Sequence, residues 1–238
     1  MLAINTESNG YTIGFAIVMT MIVALVLSGM STGLKERQQA QVLLDNKFNI
    51  VNSVESIDKT VATERYEAAI KEVVIDVNGK EVSGVNALDI NLGKELKKDP
   101  AEQRFPLYIY TTPENKKQYI IPLFGAGLWD AIGGYIALQD DFTTVAGTVF
   151  THVAETPGLG AEISKPWFQD QFKGEQLMEN GTYKGIKVMK SKGNALAKTS
   201  EYHVDGISGA TITGDGVDVM LDKCLKNYQA YFKQQKGQ

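Results

Sequence analysis

The most continuous apolar pattern lies near the start of the chain. No charged residue occurs from Ser8 to Leu34, between Glu7 and Lys35, and residues 13–27 are almost entirely Ile, Val, Leu, Met, Phe and Ala. About 20 such residues cross a bilayer core as a helix. The pattern predicts an N-terminal tail and transmembrane helix over residues 1–34. A cleaved signal peptide fits less well, because the sequence lacks a basic n-region and a clear cleavage site. A buried core helix is usually shorter.

The charges beside this span indicate an orientation. Lys35 and Arg37 follow the span, whereas the tail before it contains no basic residue, so the positive-inside rule places residues 35–238 in the cytoplasm. The signal is weak, because Glu36 and Asp45 interleave with these cations and long domains translocate despite such charges.

The pattern after the span predicts helices followed by strands. Apolar residues recur at roughly helical spacing over residues 35–54, and residues 60–71 form a second candidate helix. The β-branched run over residues 73–77 precedes Asn78-Gly79, a turn sequence, and predicts a strand. Residues 86–103 carry mixed charge and predict a surface segment with a short helix.

The middle of the chain shows the alternation that is typical of strands. Residues 105–110 and 118–124 alternate and flank Thr-Pro-Glu-Asn-Lys, which predicts a hairpin. Further strands are predicted at residues 135–138, 145–153 and 185–189, and a short helix at residues 165–172. We expect one α+β domain over residues 35–238, built of mainly antiparallel sheet with flanking helices.

The clearest soluble helix is predicted near the end of the chain. Its apolar positions recur at i, i+3, i+4 and i+7 spacing; they are Val217, Met220, Leu221, Cys224, Leu225, Tyr228, Tyr231 and Phe232. The helix is expected to start between Thr211 and Asp215, with Thr213 or Asp215 as N-cap. Cys224 lies on the apolar face and is predicted to be buried.

Composition excludes several classes of function. The formal net charge is −4, which argues against a nucleic-acid partner because phosphate backbones require a basic surface. One cysteine and two histidines that are distant in sequence do not predict a metal site or an iron–sulfur cluster.

A segment of small and hydroxyl residues precedes the C-terminal helix. Asp205 to Thr213 reads Asp-Gly-Ile-Ser-Gly-Ala-Thr-Ile-Thr, so Ser208, Gly209 and Ala210 lead directly to Thr211. Helix N-termini collect unpaired N–H groups and a partial positive charge, which favours a phosphate. The same pattern is also typical of a simple tight turn followed by a helix cap.

Two further glycine-rich segments follow predicted strands. One is Gly-Ala-Gly-Leu-Trp at residues 125–129, and the other comprises Glu155, Thr156, Pro157, Gly158, Leu159 and Gly160. Glycine permits close backbone approach, and an aromatic side chain such as Trp129 can stack. Three such loops together favour a site for a flat aromatic cofactor.

These segments, in this order, resemble a known family. Asp-Gly-Ile-Ser-Gly-Ala-Thr matches the flavinylation motif of FMN-binding domains. Together with Gly-Leu-Trp, Glu-Thr-Pro-Gly-Leu-Gly and a single N-terminal span, the sequence resembles the C subunits of Na+-translocating NADH:quinone reductases. The resemblance covers essentially the whole chain and is densest over residues 124–220.

The resemblance implies a covalent flavin. FMN would be attached through its phosphate to Thr211 by a separate FMN transferase that uses FAD and Mg2+, so no catalytic residue is expected in this chain. Thr213 is the rival acceptor on geometry alone. Asp205 would serve the transferase, the folded site or both, and the loop of residues 155–160 would lie against the isoalloxazine or ribityl chain. Trp129 either lies near the ring or belongs to the core.

The resemblance also implies a place in a complex. The chain would relay electrons from an iron–sulfur centre at the membrane subunits to the FMN of the B subunit, with the B, D and E subunits as partners. The family places the soluble domain on the periplasmic side of the bacterial inner membrane, against the weak charge signal, and we follow the family. The sequence lacks a strand–Gly-x-Gly-x-x-Gly–helix fingerprint, so NADH turnover by the isolated chain is not expected.

Two alternatives remain open at this point. The G subunit of the Rnf electron-transport complex shares the span, the flavin motif and the Glu-Thr-Pro-Gly-Leu-Gly loop. A non-redox membrane-anchored scaffold, with the glycines serving only as turns, is the alternative from another class. His152 and His203 flank the motifs; either one contacts the flavin or phosphate, or both are satisfied structural histidines.

Overall fold

The computed structural model describes residues 8–237 of the chain. They divide into two compact units, with the boundary between Leu44 and Asp45. The first unit is helical, because helix α1 covers Asn9–Asn52 and its residues 9–43 are exposed. This helix is long and apolar enough to cross a membrane, with a mean hydropathy of 2.4 in its most apolar window. The transmembrane helix predicted before residue 34 and the helix predicted after it are therefore one continuous helix. The predicted domain boundary at residue 34 stays a prediction.

The second unit is built on a five-stranded antiparallel sheet in which strands follow one another in chain order. The strands are β1 (Ile70–Asp76), β2 (Arg104–Thr111), β3 (Lys117–Ala126), β4 (Ala131–Leu138) and β5 (Val145–His152). In the predicted β2–β3 hairpin, Asn115 adopts φ 62° and its N–H donates to Thr112 O at 2.9 Å. The α+β fold with a mainly antiparallel sheet is confirmed.

Short helices and strands surround this sheet. The helices are α2 (Ala62–Ala69), α3 (Leu92–Glu95), α4 (Pro166–Gln169), α5 (Ala195–Thr199), α6 (Thr211–Lys226) and α7 (Gln229–Gln235). The antiparallel pair β6 (Met178–Glu179) and β7 (Thr182–Tyr183) forms a small hairpin. The strands β8 (Lys187–Val188) and β9 (His203–Val204) pair in parallel.

Both faces of the sheet are covered. Leu107 and Ile109 belong to a large core cluster with the apolar face of α6, whereas Tyr108 and Tyr110 belong to a second cluster with Ile50 of α1. Successive strand side chains point to opposite faces, so an uninterrupted apolar strand such as β2 requires a cover on each side. The second cover comes from the segments before β2, including the end of α1, α2 and the residues around Ala87.

Several boundaries differ from the sequence-based expectations. Residue 70 already belongs to β1, so α2 ends at Ala69 and the predicted helix over residues 60–71 was too long. The strand predicted at residues 185–189 is reduced to β8. The C-terminal helix is interrupted between Lys226 and Gln229, where Tyr228 is fully buried. Tyr228 continues the helical spacing of apolar residues in the sequence, so that spacing did not indicate the interruption.

Candidate functional site

Helix α6 begins at Thr211, the residue that the sequence singled out. Its N-cap is Ala210, which provides no side-chain capping bond, so the prediction of Thr213 or Asp215 as N-cap was wrong. Thr211 is half-buried, and its hydroxyl forms no hydrogen bond within residues 8–237. The first N–H groups of a helix lack intrahelical acceptors. The Thr211 hydroxyl therefore lies at a helix start whose unpaired backbone N–H groups suit a phosphate.

A tight turn presents this hydroxyl. The Ala210 N–H donates to Ile207 O at 3.0 Å, and both of these residues are buried, whereas Ser208 and Gly209 are exposed. Gly209 has φ +79°, a left-handed conformation that glycine adopts without a steric penalty. A Cβ at Gly209 would lie 3.0 Å from Leu159 Cδ2, so the loop of residues 155–160 packs directly on this turn.

A buried carboxylate joins the three loops. Glu155 is only 4% exposed. Its Oε2 accepts a hydrogen bond from Thr213 Oγ1 at 2.6 Å, and its Oε1 accepts one from the backbone N–H of Trp129 at 2.9 Å. The first turn of α6, the segment after β3 and the segment after β5 are thus held by one side chain.

Two glycines make room for this carboxylate. A Cβ at Gly160 would lie 2.1 Å from Glu155 Oε2, and a Cβ at Gly127 would lie 2.5 Å from Glu155 Oε1. Contacts that close do not occur between real atoms, and a buried, hydrogen-bonded carboxylate has little freedom to move. These glycines are therefore required by the packing around Glu155 and not only by turn geometry.

The Glu155 carboxyl is held in its charged form. Burial raises its pKa, but hydrogen bonds from the Thr213 hydroxyl and from the backbone N–H groups of Trp129, Leu128 and Asp130 together lower that pKa below its ordinary value. The site thus contains a fixed negative charge that is bound to Thr213, two residues after Thr211.

Exposed apolar side chains surround the turn. Trp129 is 68% exposed, and its indole Nε1 donates to Thr156 Oγ1 at 3.2 Å, so it does not belong to the core. Leu128, Leu159 and Ile212 are also exposed. A groove of about 800 Å³ runs between residues 124–131 and one face of α6. Its apolar walls and its glycines fit a flat aromatic ring, and its open side leaves the ring edge accessible.

The other predicted site residues have identifiable structural contacts. Asp205 Oδ1 accepts from the backbone N–H of Asn194 at 2.8 Å. His152 Nδ1 accepts from the backbone N–H of Glu155 at 3.3 Å, and His203 Nδ1 lies 2.8 Å from Ser200 Oγ. The exposed residues Thr156, Pro157 and Gly158 form the tip of their loop. The two histidines therefore have partners within the protein.

Sequence reasoning missed the α6 side of the groove. Ile212, Gly216, Val219 and Lys223 line it. They recur at i, i+4, i+7 and i+11, which is a second helical stripe beside the apolar face that was recognised. The sequence contains this stripe, but Gly216 and Lys223 are not apolar, so the spacing of apolar residues alone did not reveal it.

The fold and the site together define an FMN-binding domain protein. The family model for the FMN-binding domain matches residues 127–226, a segment that contains Trp129, Glu155, Thr211 and Thr213. Over 243 aligned residues the chain is 31% identical to the C subunit of the Na(+)-translocating NADH-quinone reductase of Vibrio parahaemolyticus, covering 93% of this chain and 92% of that one. The corresponding protein of Vibrio campbellii is 29% identical with the same coverage.

Solved structures show the same similarity. The crystal structure of the C subunit of the Na(+)-translocating NADH-quinone reductase from Parabacteroides distasonis has a TM-score of 0.75 at 35% identity, covering 84% of this chain and 96% of that one. The Shewanella oneidensis protein has a TM-score of 0.71 at 25% identity, covering 83% and 100%. The chain belongs to the family of C subunits of Na+-translocating NADH-quinone reductases, so the resemblance seen in the sequence is confirmed.

Proposed function

We propose that this chain carries FMN covalently, as a phosphoester of the Thr211 hydroxyl, and serves as an electron-carrier subunit of a Na+-translocating NADH:quinone reductase. The observation that carries the proposal is the contrast between two hydroxyls of α6. Thr211 is half-buried, free of hydrogen bonds within residues 8–237 and located at the helix start. Thr213 is 1% exposed and is bound to Glu155.

The attachment is a phosphoryl transfer for which the chain supplies the acceptor. A bond forms between Thr211 Oγ and the FMN phosphorus of FAD, the pyrophosphate bond breaks, AMP leaves, and the hydroxyl proton is released. A separate FMN transferase with Mg2+ would catalyse this step. Once formed, the phosphoester is stabilised by the unpaired N–H groups and the positive end of the α6 dipole.

The residues around Thr211 would hold the flavin in place. Trp129, Leu128 and Ile212 offer exposed apolar surface against which the ring packs, and the loop of residues 155–160 closes one side. FMN supplies the redox chemistry, while the protein provides position and electrostatics. The charged Glu155 carboxylate would add a negative charge to the surroundings of the cofactor.

The exposed side of the groove suits electron transfer between subunits. We infer that electrons arrive from an iron–sulfur centre of the membrane subunits and leave for the FMN of the B subunit, with the D and E subunits as further neighbours. The N-terminal helix would anchor the chain in the bacterial inner membrane, with the soluble domain on the periplasmic side. A covalent tether keeps the cofactor in place through each redox cycle.

The proposal is tested by producing the full chain together with the transferase and viewing a denaturing gel under ultraviolet light. Flavin fluorescence should remain with the wild-type band and with Thr213→Ser, which keeps the hydroxyl that binds Glu155. It should disappear in Thr211→Ala.

Two results would contradict this assignment. A dark wild-type band would exclude the covalent flavin and favour the non-redox scaffold. Fluorescence that survives in Thr211→Ala but not in Thr213→Ala would move the acceptor to Thr213. A folded Thr211→Ala protein, shown by an unchanged melting temperature, excludes misfolding as the cause of a dark band.

A further inference from the structure

A second cavity, of about 360 Å³, lies between the turn that joins β4 to β5, the β6–β7 hairpin and α7. It shares no lining residue with the groove beside Thr211. Its volume lies at the lower end of the range that is usual for small-molecule sites. The cavity is therefore separate from the proposed flavin site.

Aromatic rings form one wall of this cavity. Phe142 and Phe232 both line it, with ring centroids 4.7 Å apart and planes inclined by 25°. Phe142 has φ 59°, which is uncommon for a bulky residue. Strained backbone of this kind concentrates at ligand sites. Both rings are members of the hydrophobic core, with Phe142 9% and Phe232 8% exposed, so the core extends to the wall of this cavity.

Two residues that line the cavity, Thr143 and Tyr183, carry buried hydroxyls without partners. The Thr143 Oγ1 and Tyr183 Oη atoms are buried and have no hydrogen-bond partner among residues 8–237. Buried polar atoms are normally paired, because an unpaired one loses its hydration without replacement. Because both oxygen atoms are closed to solvent, neither is accessible to a ligand in the cavity.

Two cations also face the cavity. Lys233 and Lys236 line it, and neither forms a salt bridge within the described part of the chain. Lys236 Nζ lies 5.7 Å from the centroid of the Phe142 ring, so this cation stands beside the aromatic wall. Nearby, in contrast, Lys226 is paired with Asp222 at 2.7 Å.

One carboxylate lies close to these cations. Asp141, beside Phe142, accepts hydrogen bonds from the backbone N–H groups of Thr143 and Thr144 at 2.8 Å each, so other donors already stabilise its charge. Lys236 contributes less than these hydrogen bonds to lowering the pKa of Asp141. Lys233 and Lys236 therefore give a positive charge to the part of the cavity wall that lies at α7.

We propose that this cavity binds a small planar aromatic carboxylate. The ring packs against Phe142 and Phe232, and the carboxylate pairs with Lys233 and Lys236. Aromatic stacking and charge-assisted hydrogen bonds are both favourable in a partly dry cavity.

The test uses the full chain in a nonionic detergent and 6-hydroxy-2-naphthoate as the probe, observed by saturation-transfer NMR. Gln229 lines the cavity, so the variant Gln229→Trp should fill it with the indole ring. The NMR signal of this variant measures how much probe binds to the micelles alone. Wild-type protein should show saturable binding above this background. The double variant Lys233→Gln with Lys236→Gln should bind roughly threefold to tenfold more weakly at low salt.

A matched control removes the same charge elsewhere. Lys190→Gln with Lys198→Gln changes two exposed lysines outside the cavity and should leave the affinity unchanged. Tyr183→Phe should also leave the affinity unchanged, because the Tyr183 hydroxyl oxygen is not accessible from the cavity. The proposal fails if saturable binding is absent, if Gln229→Trp binds as wild type does, or if the methyl ester of the probe binds as tightly as the acid.

Discussion

Among the residues of the candidate site, Glu155 is the one whose side chain connects all three loops. Its carboxylate accepts hydrogen bonds from Thr213 and from the backbone of Trp129, and its volume requires glycine at positions 127 and 160. Thr211 itself has no comparable contact. The Thr211 hydroxyl, the proposed site of FMN attachment, is therefore held in position indirectly, through the contact between Glu155 and Thr213 in the same helix.

We predict that Glu155→Gln lowers the free energy of unfolding by about 1–3 kcal/mol at pH 7, because one amide cannot replace all the acceptor positions of a buried carboxylate. The folded-state pKa of Glu155 lies below the ordinary value of 4.5. Its stabilisation is therefore present above about pH 4.5 and is lost as the pH falls through the lower, folded-state pKa.

Urea unfolding of the full chain in detergent, followed by tryptophan fluorescence at pH 7 and pH 4, measures this difference. The gap between wild type and Glu155→Gln should narrow at the lower pH. Glu114→Gln, an exposed residue of the β2–β3 turn, should match wild type at both values. A gap that stays constant with pH would show that the carboxylate is not the stabilising species.

The sequence predicted the turn and the helix start at Thr211, but not the contacts around them. Ser208, Gly209, Ala210 and Thr211 form the expected turn and helix start. The bond between Glu155 and Thr213 joins residues that are 58 apart, so no local pattern could indicate it. Thr213 was assigned a capping role from the preference of Thr and Asp for N-cap positions, whereas its hydroxyl donates to Glu155.

At the scale of elements, the interruption between α6 and α7 fixes the C-terminal segment to the sheet. Tyr228 lies at this interruption, and its hydroxyl donates to the carbonyl of Pro106 in β2 at 2.7 Å. Burial raises the pKa of the Tyr228 hydroxyl well above its usual range, so it remains a donor at physiological pH. One hydrogen bond thus joins the last helices to the second strand.

We predict that Tyr228→Phe destabilises the protein by about 1–2 kcal/mol, because the buried Pro106 carbonyl loses this donor. Tyr183→Phe is the matched control, since the Tyr183 hydroxyl has no partner within residues 8–237 and its removal should be neutral or stabilising. Thermal unfolding of both variants checks this. Equal losses of thermal stability in the two variants would show that the destabilisation does not come from the hydrogen bond to Pro106.

Regular elements were predicted well where one periodicity dominates. The β2–β3 hairpin and α6 follow this rule, because alternation and helical spacing are each unambiguous there. A strand was predicted around β8, but its two-residue partner β9 was not separable from a loop by pattern, since the two pair between residues about 16 apart in the chain. The length of α1 was also underestimated, because polar residues beyond the membrane span interrupt its apolar pattern but not its helix.

At the scale of the whole molecule, the fold combines an apolar helix with an FMN-binding domain, and these two features were both evident in the sequence. The side of the membrane on which the FMN-binding domain lies was not evident, because the charge pattern predicts the cytoplasm and the family resemblance predicts the periplasm. A labelling experiment can decide between them.

We predict that Ser56→Cys is modified by a membrane-impermeant maleimide in spheroplasts, whereas Asn9→Cys is modified only after the membrane is opened. Both positions are exposed. The native Cys224 gives little background, because it is 1% exposed and burial raises the pKa of its thiol to about 11. The reverse labelling pattern would place the domain in the cytoplasm and support the charge rule.

The contacts of Glu155 also have a consequence for biosynthesis. Trp129 leaves the ribosome first, Glu155 follows 26 residues later, and Thr213 follows 58 residues after that. The carboxylate obtains its hydroxyl donor only when α6 has been synthesised and has packed against β3. On the proposed function, an attaching enzyme that recognises this surface modifies only chains whose domain is complete. The flavin content of a preparation would then report the fraction of molecules that folded.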